Sequence, residues 1–319
     1  MTGRDVIIVT GADLAPQALA LLADYEVVFA GKTPQTADLV ALATKHNPVG
    51  IIVRYGSVTA EVMDAAPALR VISKHGTGTD TIDKAAAEAR GIKVTAAAGA
   101  NAAAVAEHAL ALMLACAKAV VQLDARMHAG HWDKATHKSL ELNGLTIGLI
   151  GLGAIGRRFA RMCDAIGMRV IGFDPFATNL PDYIEAVPLE RIWENSDVIS
   201  LQCPLTAENK EMVNASTLAQ CKRGVILINT ARGGLIDEAA LLEAVRSGRV
   251  AAAGLDSFAR EPMQAPHIFH GQPGFVLSPH IGGVTSAAYV NMGVAAANNT
   301  LAVLRKVAEP APAQHQPQH

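Results

Sequence analysis

Short apolar runs alternating with amphipathic stretches predict an α/β protein built on parallel sheets. Two further features divide it in two. The alternation is broken by a long alanine-rich segment, Asn101–Ala119, and it restarts after Leu145 at a glycine-rich turn, Thr146–Gly156.

Before Gly99, strands are predicted at Val6–Val9, Glu26–Phe29, Gly50–Val53, Arg70–Ser73 and Lys93–Thr95. The stretches between them, Ala15–Ala23, Thr36–Lys45, Thr59–Ala65 and Thr81–Ala89, read as helices. Asn101–Ala119 is a helix apolar on most sides, which requires burial between domains or against another subunit. The second series of strands is Leu145–Ile150, Arg169–Phe173, Val198–Leu201, Val225–Ile228, Ala252–Leu255 and Phe275–Leu277. A final helix, Ala287–Val307, follows the last strand and is expected to return to the first domain. The expected architecture is two Rossmann-like domains with an interdomain cleft. A flavodoxin-like substrate domain would hold residues 1–98 and 285–319, and a dinucleotide-binding Rossmann domain residues 99–284.

The glycine-rich turn carries the most chemistry. Gly151, Gly153 and Gly156 form G-x-G-x-x-G between the strand Leu145–Ile150 and a helix, Ala154–Ile166, that stops at Gly167. Gly151 permits the tight turn, Gly153 lets backbone approach a pyrophosphate, and Gly156 lets helix pack on strand. The helix N-terminus offers N–H groups and a positive dipole end to the phosphates. Asp174 ends the next strand, about 20 residues on. Its carboxylate can accept hydrogen bonds from ribose hydroxyls and repels a 2′-phosphate, and Pro175, Phe176, Ala177 and Thr178 bring no cation. NAD rather than NADP is therefore the expected cofactor.

With 319 residues the chain has room for about two domains. Half of its residues are hydrophobic and only 4% aromatic, so the core is chiefly Ala, Val, Leu and Ile. A formal charge of −2 and a pI near 6.6 offer no basic field to nucleic acid or an anionic membrane. The longest apolar run, Ala109–Ala117, is far short of the roughly 20 residues that span a bilayer. Val6–Val9 is too short for the apolar core of a signal peptide. Cys116, Cys163, Cys203 and Cys221 show no C-x-x-C spacing and sit in apolar segments. Reduced core thiols in a cytoplasmic protein are expected. Glu309–His319 has no periodicity and reads as a disordered tail, with His315 and His319 not metal ligands.

Ligands of open α/β sheets bind at the carboxyl ends of strands, and several polar residues fall there. Arg54 follows Ile51–Val53, and Lys74 and His75 follow Val71–Ser73. Arg232 lies in Asn229-Thr230-Ala231-Arg232-Gly233-Gly234, Asp256 ends Ala252–Leu255, and Glu261 stands in the loop beyond it. His280 follows the last strand in Ser278-Pro279-His280-Ile281-Gly282-Gly283. Singly, each has a plain structural reading; a loop-borne Arg, Glu and His on one rim form a coherent chemical set. Asp237 reads as a helix N-cap. Glu107 and His108 sit in the apolar helix, where packing or an interface is the simpler role. His128, His131 and His137 have no metal-ligand pattern and read as surface, and no metal is expected.

At these residues the chain resembles the D-isomer-specific 2-hydroxyacid dehydrogenase family, over nearly everything from Val49 to Thr285. The resemblance rests on GLGAIG with Asp174, NTARGGLIDEAAL, GLDSFAREP and SPHIGG, which match in order and spacing. Within the family the chain looks closest to the D-3-phosphoglycerate dehydrogenase branch, through HGTGTDTID, Ala106-Glu107-His108 and Leu142-Asn143-Gly144. The resemblance implies catalytic roles for Arg232, Glu261 and His280. It implies NAD contacts at Gly153, Ala154, Ile155, Asp174, Cys203, Pro204, Thr230, Arg232 and Asp256, to which we add Gly151, Gly156, Ala231, His280 and Gly282. Ala154 stands where a basic residue is common and Gln202 where histidine is usual; neither touches the reacting atoms. No regulatory domain of the kind that extends some phosphoglycerate dehydrogenases is expected, nor feedback through one.

The implied reaction is hydride transfer between nicotinamide and C2 of a 2-hydroxy or 2-keto acid. His280 would exchange the hydroxyl proton, Glu261 would fix its tautomer, and Arg232 would bind the substrate carboxylate. Asp256 would support the nicotinamide side or His280. Arg54 and Lys74 suit a dianionic substrate, and backbone N–H groups at Gly76, Thr77 and Gly78 suit a carboxylate. The expected reaction is thus 3-phosphoglycerate to 3-phosphohydroxypyruvate. Tyr55-Gly56 departs from the small polar residues of that branch, which keeps hydroxypyruvate, glyoxylate and sulfolactate as competitors. A rival of another class is a non-enzymatic, NAD(H)-sensing protein like the corepressors that share this fold. Formate oxidation fits less well, since it needs no acid-base pair. A homodimer through the region of residues 101–119 is expected.

Overall fold

In the computed structural model, which describes residues 4–308, the chain divides into two compact units. One holds the residues up to Asn101 with those from Thr285 onward, and the other holds Ala102–Val284. The division therefore falls at Asn101/Ala102, beside the boundary at Gly99 read from sequence. The tail Glu309–His319, with His315 and His319, lies outside the described residues.

The first unit begins with β1 (Val6–Val9), α1 (Pro16–Leu21), β2 (Glu26–Phe29), α2 (Thr36–His46) and β3 (Gly50–Val53). It continues with α3 (Ala60–Asp64), β4 (Val71–Lys74), α4 (Lys84–Ala89) and β5 (Lys93–Ala96). The second unit opens with α5 (Ala102–Lys118) and α6 (Val120–His128), then β6 (Thr146–Ile150), α7 (Ala154–Ala165), β7 (Arg169–Phe173) and β8 (Ile184–Ala186). After these come α8 (Leu189–Asn195), β9 (Val198–Leu201), α9 (Ala215–Gln220), β10 (Val225–Asn229), α10 (Glu238–Arg246), β11 (Val250–Leu255) and β12 (Phe275–Leu277). The closing helix, α11 (Ser286–Ala308), belongs to the first unit.

Both sheets are parallel. The first has the order β2-β1-β3-β4-β5, the flavodoxin-like winding. Alternation along β1 explains its two-sided cover. Ile7 and Val9 face a cluster with Ala15, Ala18, Leu22, Ala296, Ala297 and Leu301, from α1 and α11. Ile8 faces the opposite cluster with Leu39, Ala43, Val62 and Met63, from α2 and α3. Hydrogen bonds fix α11 in place: the Ser73 hydroxyl, buried, donates to Ala296 O (3.1 Å) and the half-buried Asn299 amide to Ala96 O (2.9 Å).

The second sheet has the order β12-β11-β10-β9-β6-β7-β8, the doubly wound arrangement whose direction reverses between β6 and β9. The crevice at that reversal opens at the carboxyl ends of the strands, which is where the glycine-rich turn lies. One face packs Ile147, Leu149 and Ile228 against Ala109, Leu112 and Met113 of α5 and Phe159 of α7. Phe159 has no exposure, and its burial contributes about 2–3 kcal/mol. The other face packs Ile199, Leu227 and Leu255 against Ile192, Trp193, Leu218 and Leu241.

Several boundaries differ from those the sequence predicts. The helix expected from Thr81 starts at Lys84, because Ile82 pairs in a bridge with Val58 and Asp83 accepts from Ala86 N (2.9 Å) as an N-cap. The strand expected from Ala252 starts at Val250, with an irregularity in its pairing at Val225/Ile226. The alanine-rich helix is not buried all round: Ala106, Ala109 and Met113 are fully covered, Leu110 and Leu114 are half-buried, and Ala111 is exposed. Ala119, in left-handed backbone (φ 51°), turns the chain from α5 into α6, where Val120, Val121 and Met127 are exposed. Among the described residues no single helix is long and apolar enough to cross a membrane.

Candidate active site

The glycine-rich turn closes as its sequence requires. Gly151 leaves β6 with φ 100°, and a Cβ there would lie 2.6 Å from the backbone of Gln202. A Cβ on Gly156 would lie 2.1 Å from Gly151 O, so the first turn of α7 rests directly on the loop. At Gly153, by contrast, a Cβ would meet nothing within 4 Å. Backbone is thus open to a ligand at the helix N-terminus, where first-turn N–H groups lack intrahelical acceptors. Asp174, at the end of β7, accepts from Leu152 N (2.8 Å) through one oxygen and from Phe176 N (2.9 Å) through the other. It therefore ties the glycine turn to the loop after β7. Arg157 ties the same two segments, donating to Leu152 O (2.9 Å), Asn179 O (2.9 Å) and Thr178 O (2.7 Å). Gln202 hydrogen-bonds both Ser200 (3.0 Å) and Thr230 (2.9 Å), and burial pushes the neighbouring Cys203 thiol up to about 11. These features fit a dinucleotide: an uncovered helix start, a carboxylate anchored beside it, and half-buried Cys203, Thr230 and Ala231 on the adjoining strand ends.

Three loops bring the acid-base groups together. After β10, buried Asn229 accepts from Ala231 N (2.9 Å) and donates to Arg232 O (2.9 Å), clamping the turn that carries Arg232. Gly233 lies so close to the next loop that a Cβ would stand 1.8 Å from Phe258 C. Only glycine allows that approach, which places Arg232 beside the segment Asp256–Glu261. Asp237 caps α10, accepting from Ala239 N and Ala240 N, each at 3.1 Å, as its sequence position predicts.

Glu261 accepts from Phe258 N (3.0 Å) through one oxygen, and its other oxygen pairs with His280 Nδ1 at 2.6 Å. The Glu261 hydrogen bond holds the His280 pKa above its ordinary value, against a downward push from burial. Burial pushes the Glu261 carboxyl up, but the His280 and Phe258 hydrogen bonds outweigh it, helped by the His280 and Arg232 charges, and the net shift is downward. The pair is ionic between those two displaced values. With Nδ1 donating to the carboxylate, Nε2 is the nitrogen left for a substrate proton.

His280 itself has φ 54°, a left-handed conformation that costs a non-glycine residue about 1–2 kcal/mol. Asp256, 2% exposed, holds the chain in it. Its carboxylate accepts from Ser278 Oγ (2.7 Å), Ile281 N (2.9 Å) and Gly282 N (2.8 Å), so the loop wraps around one buried anion. His108, read from sequence as a packing residue, is in the same network, with Nε2 2.8 Å from Ser278 Oγ.

Arg54, Lys74, Gly76, Thr77 and Gly78 gather at the ends of β3 and β4 in the first unit. Arg54 is not a free rim cation. It pairs with the Asp13 carboxylate, donates to Asp13 O (2.6 Å), and lies 5.3 Å and 5.0 Å from the Tyr55 and Tyr289 ring centroids. The Tyr289 hydroxyl also donates to Asp13 (3.0 Å). Burial, with the Arg54 charge, pushes His75 down to about 4, leaving it neutral. Lys74 donates to Arg54 O (3.1 Å), and the Thr77 hydroxyl to Asn101 (3.1 Å). Sequence reading missed Asp13 and Tyr289, whose partner lies 41 and 235 positions away respectively. No local spacing could reveal them.

Residues 110–282 match the family model described as "D-isomer specific 2-hydroxyacid dehydrogenase, NAD binding domain". The chain is 43% identical to a hydroxypyruvate reductase of Thermotoga maritima over 74% of its own length and 78% of that protein. It is 38% identical to a D-3-phosphoglycerate dehydrogenase of Mycobacterium leprae over 91% of its own length but 55% of that protein. It thus spans about half the length of the phosphoglycerate dehydrogenases it matches. A solved protein of Thermus thermophilus superposes with a TM-score of 0.87 at 37% identity, over 94% of this chain and 97% of that one.

Replacing Glu261 by Gln removes the charge that holds the His280 pKa up. An NMR titration of the imidazole should therefore show the value fall in Glu261→Gln; an unchanged titration would show that the pair does not govern it.

Proposed function

The chain belongs to the D-isomer specific 2-hydroxyacid dehydrogenase family, and from that premise we propose that it exchanges a hydride between NAD and C2 of a D-2-hydroxy acid or the matching 2-keto acid. The observation that carries the reading is the His280–Glu261 pair at 2.6 Å, with the Arg232 charge acting on both. Bound NAD supplies the hydride acceptor in the oxidative direction and, reduced, the donor in the other. Gly151, Gly153, Ala154, Ile155 and Gly156 would hold its pyrophosphate, Asp174 its adenosine ribose, and Cys203, Pro204, Thr230, Ala231, Asp256 and Gly282 its remaining contacts.

His280 Nε2 takes the substrate hydroxyl proton in oxidation and returns it in reduction. Glu261 favours the imidazolium this produces. Arg232 binds the substrate carboxylate and polarises the C2 oxygen as charge develops there. Asp256 makes no proton transfer; it shapes the loop that presents His280. We assign the cofactor to the second unit and substrate recognition to the first, where Lys74 and the Gly76–Gly78 backbone would receive an anionic group.

As substrate, 3-phosphoglycerate is the first reading, supported by the phosphoglycerate dehydrogenases among the relatives; it would place the protein in serine biosynthesis. The Arg54–Asp13 pair favours a second, an unphosphorylated acid such as hydroxypyruvate, because a guanidinium already neutralised has less to offer a phosphate. We further assign a cytoplasmic homodimer, in which a second copy covers Leu110, Leu114, Val120, Val121 and Met127.

Comparing kcat/KM for 3-phosphoglycerate, hydroxypyruvate and glyoxylate with NAD(H) decides the substrate. His280→Ala should lose turnover about a hundredfold or more while NADH binding persists. Tight NADH binding without turnover on the whole panel in the unmodified protein would favour an NAD(H)-sensing role instead. Asp174→Ala should raise kcat/KM with NADP relative to NAD; no change would remove the reading of that carboxylate. Sedimentation at micromolar concentration should give twice the monomer mass, and a monomer would contradict the dimer.

A further inference from the structure

We propose that His108 of α5 is a positioning residue for His280, acting through Ser278 and the buried carboxylate of Asp256. The inference rests on the proton-transfer role assigned above to His280 and deepens that same site. His108 and Ser278 act through Asp256 and the loop that carries His280.

Proton bookkeeping fixes the direction of the network. The Asp256 carboxylate accepts a backbone N–H on each oxygen, from Ile281 at Oδ1 and Gly282 at Oδ2. The Ser278 hydroxyl has one hydrogen, and at 2.7 Å from Asp256 Oδ1 it gives that hydrogen to the carboxylate. Towards His108, 2.8 Å away on the other side, the same oxygen can then only accept. His108 must therefore carry hydrogen on Nε2, which also lies 3.4 Å from Asp256 Oδ1. The relay runs from His108 Nε2–H to Ser278 Oγ–H to Asp256, in one direction.

Its far end is the backbone on either side of His280. Asp256 Oδ1 accepts from both Ser278 Oγ and Ile281 N, and Oδ2 from Gly282 N at 2.8 Å. His280 N donates to Ser278 O at 3.0 Å. The left-handed turn at His280 is thus pinned before and after the residue, by Ser278 and by Ile281 with Gly282. Loss of the His108 hydrogen bond frees the Ser278 hydroxyl to rotate off the carboxylate, and Asp256 then loses one of its side-chain partners. Among the described residues, the imidazole of His280 is held by Glu261 at Nδ1. The aim of Nε2 therefore depends on the backbone that the relay holds.

α5 gives the relay a rigid base. His108 is flanked by Ala106, Ala109 and Leu112, all packed into the core beneath the sheet. Its side chain keeps 22% exposure. A histidine serving only to fill space would be replaceable by phenylalanine, whereas a relay member would not.

The test uses purified protein with hydroxypyruvate and NADH. His108→Phe should lower kcat about tenfold or more, a larger change than in KM or NADH affinity. His108→Gln, whose amide N–H can stand near the Nε2 position, should recover most of that loss. Combining His108→Phe with Ser278→Ala should cost no more than the worse single variant, because both break one chain. Hydrogen exchange of the Ile281 and Gly282 amides should quicken about tenfold in His108→Phe and not in His108→Gln, a readout independent of substrate. Unchanged kcat and exchange in a folded His108→Phe would overturn the relay, as would losses that multiply or a Gln variant no better than Phe. His280→Ala is run alongside: if it stays active, the parent assignment fails and takes the relay with it. If it is inactive while His108→Phe is not, the relay alone fails.

Discussion

Asp256 follows β11 with 2% exposure, and a carboxylate so buried is tolerable only when donors surround it. Three do: one hydroxyl and two backbone N–H groups, all from the segment Ser278–Gly282. To deliver them the chain after β12 must curl back over the strand end, and His280 takes a left-handed backbone in the process. The His280 imidazole thus owes its position to the satisfaction of a neighbouring carboxylate. Charge-assisted bonds are the stronger kind, and together they outweigh the strain at one residue.

The same economy recurs on the other strand ends of this unit. Asp174 satisfies both its oxygens on backbone N–H groups and so joins the glycine turn to the loop beyond β7. Asn229, fully buried, clamps the Arg232 turn in a similar way. Between them, Gly156 and Gly233 remove the side chain where backbone must touch backbone, at projected Cβ distances of 2.1 and 1.8 Å. Each polar side chain at the rim therefore has a structural duty that precedes any chemistry. Glu261 joins the two roles, bracing Phe258 N with one oxygen and His280 with the other.

How much of this is visible in the sequence depends on the range over which each feature is encoded. The strands β1, β2, β3, β7, β9 and β12 were legible to the residue, since each is a short, mostly apolar run between turn formers. The glycine turn, the Asp237 cap and the Arg232, Glu261 and His280 set were legible through spacing and resemblance. The edge strand β8 was not, because two of its three residues, Glu185 and Ala186, are exposed and leave no apolar run to read. The break between α5 and α6 was hidden as well, since a left-handed alanine at Ala119 carries no composition signal. Pairings across great sequence separation were the least legible. Asp13 with Arg54 and Tyr289, and His108 with Ser278, join segments that only the fold brings together. His108 in particular looks like a core histidine from its apolar neighbours, and its role follows from what stands opposite it.

The most direct measurement is the fate of the hydride itself. NADH carrying deuterium at C4 of the nicotinamide is incubated with a 2-keto acid, and the product is analysed for label and configuration. The account predicts deuterium at C2 of the D-hydroxy acid. Bound NADH that never transfers its label, or label arriving in the L-isomer, would contradict it.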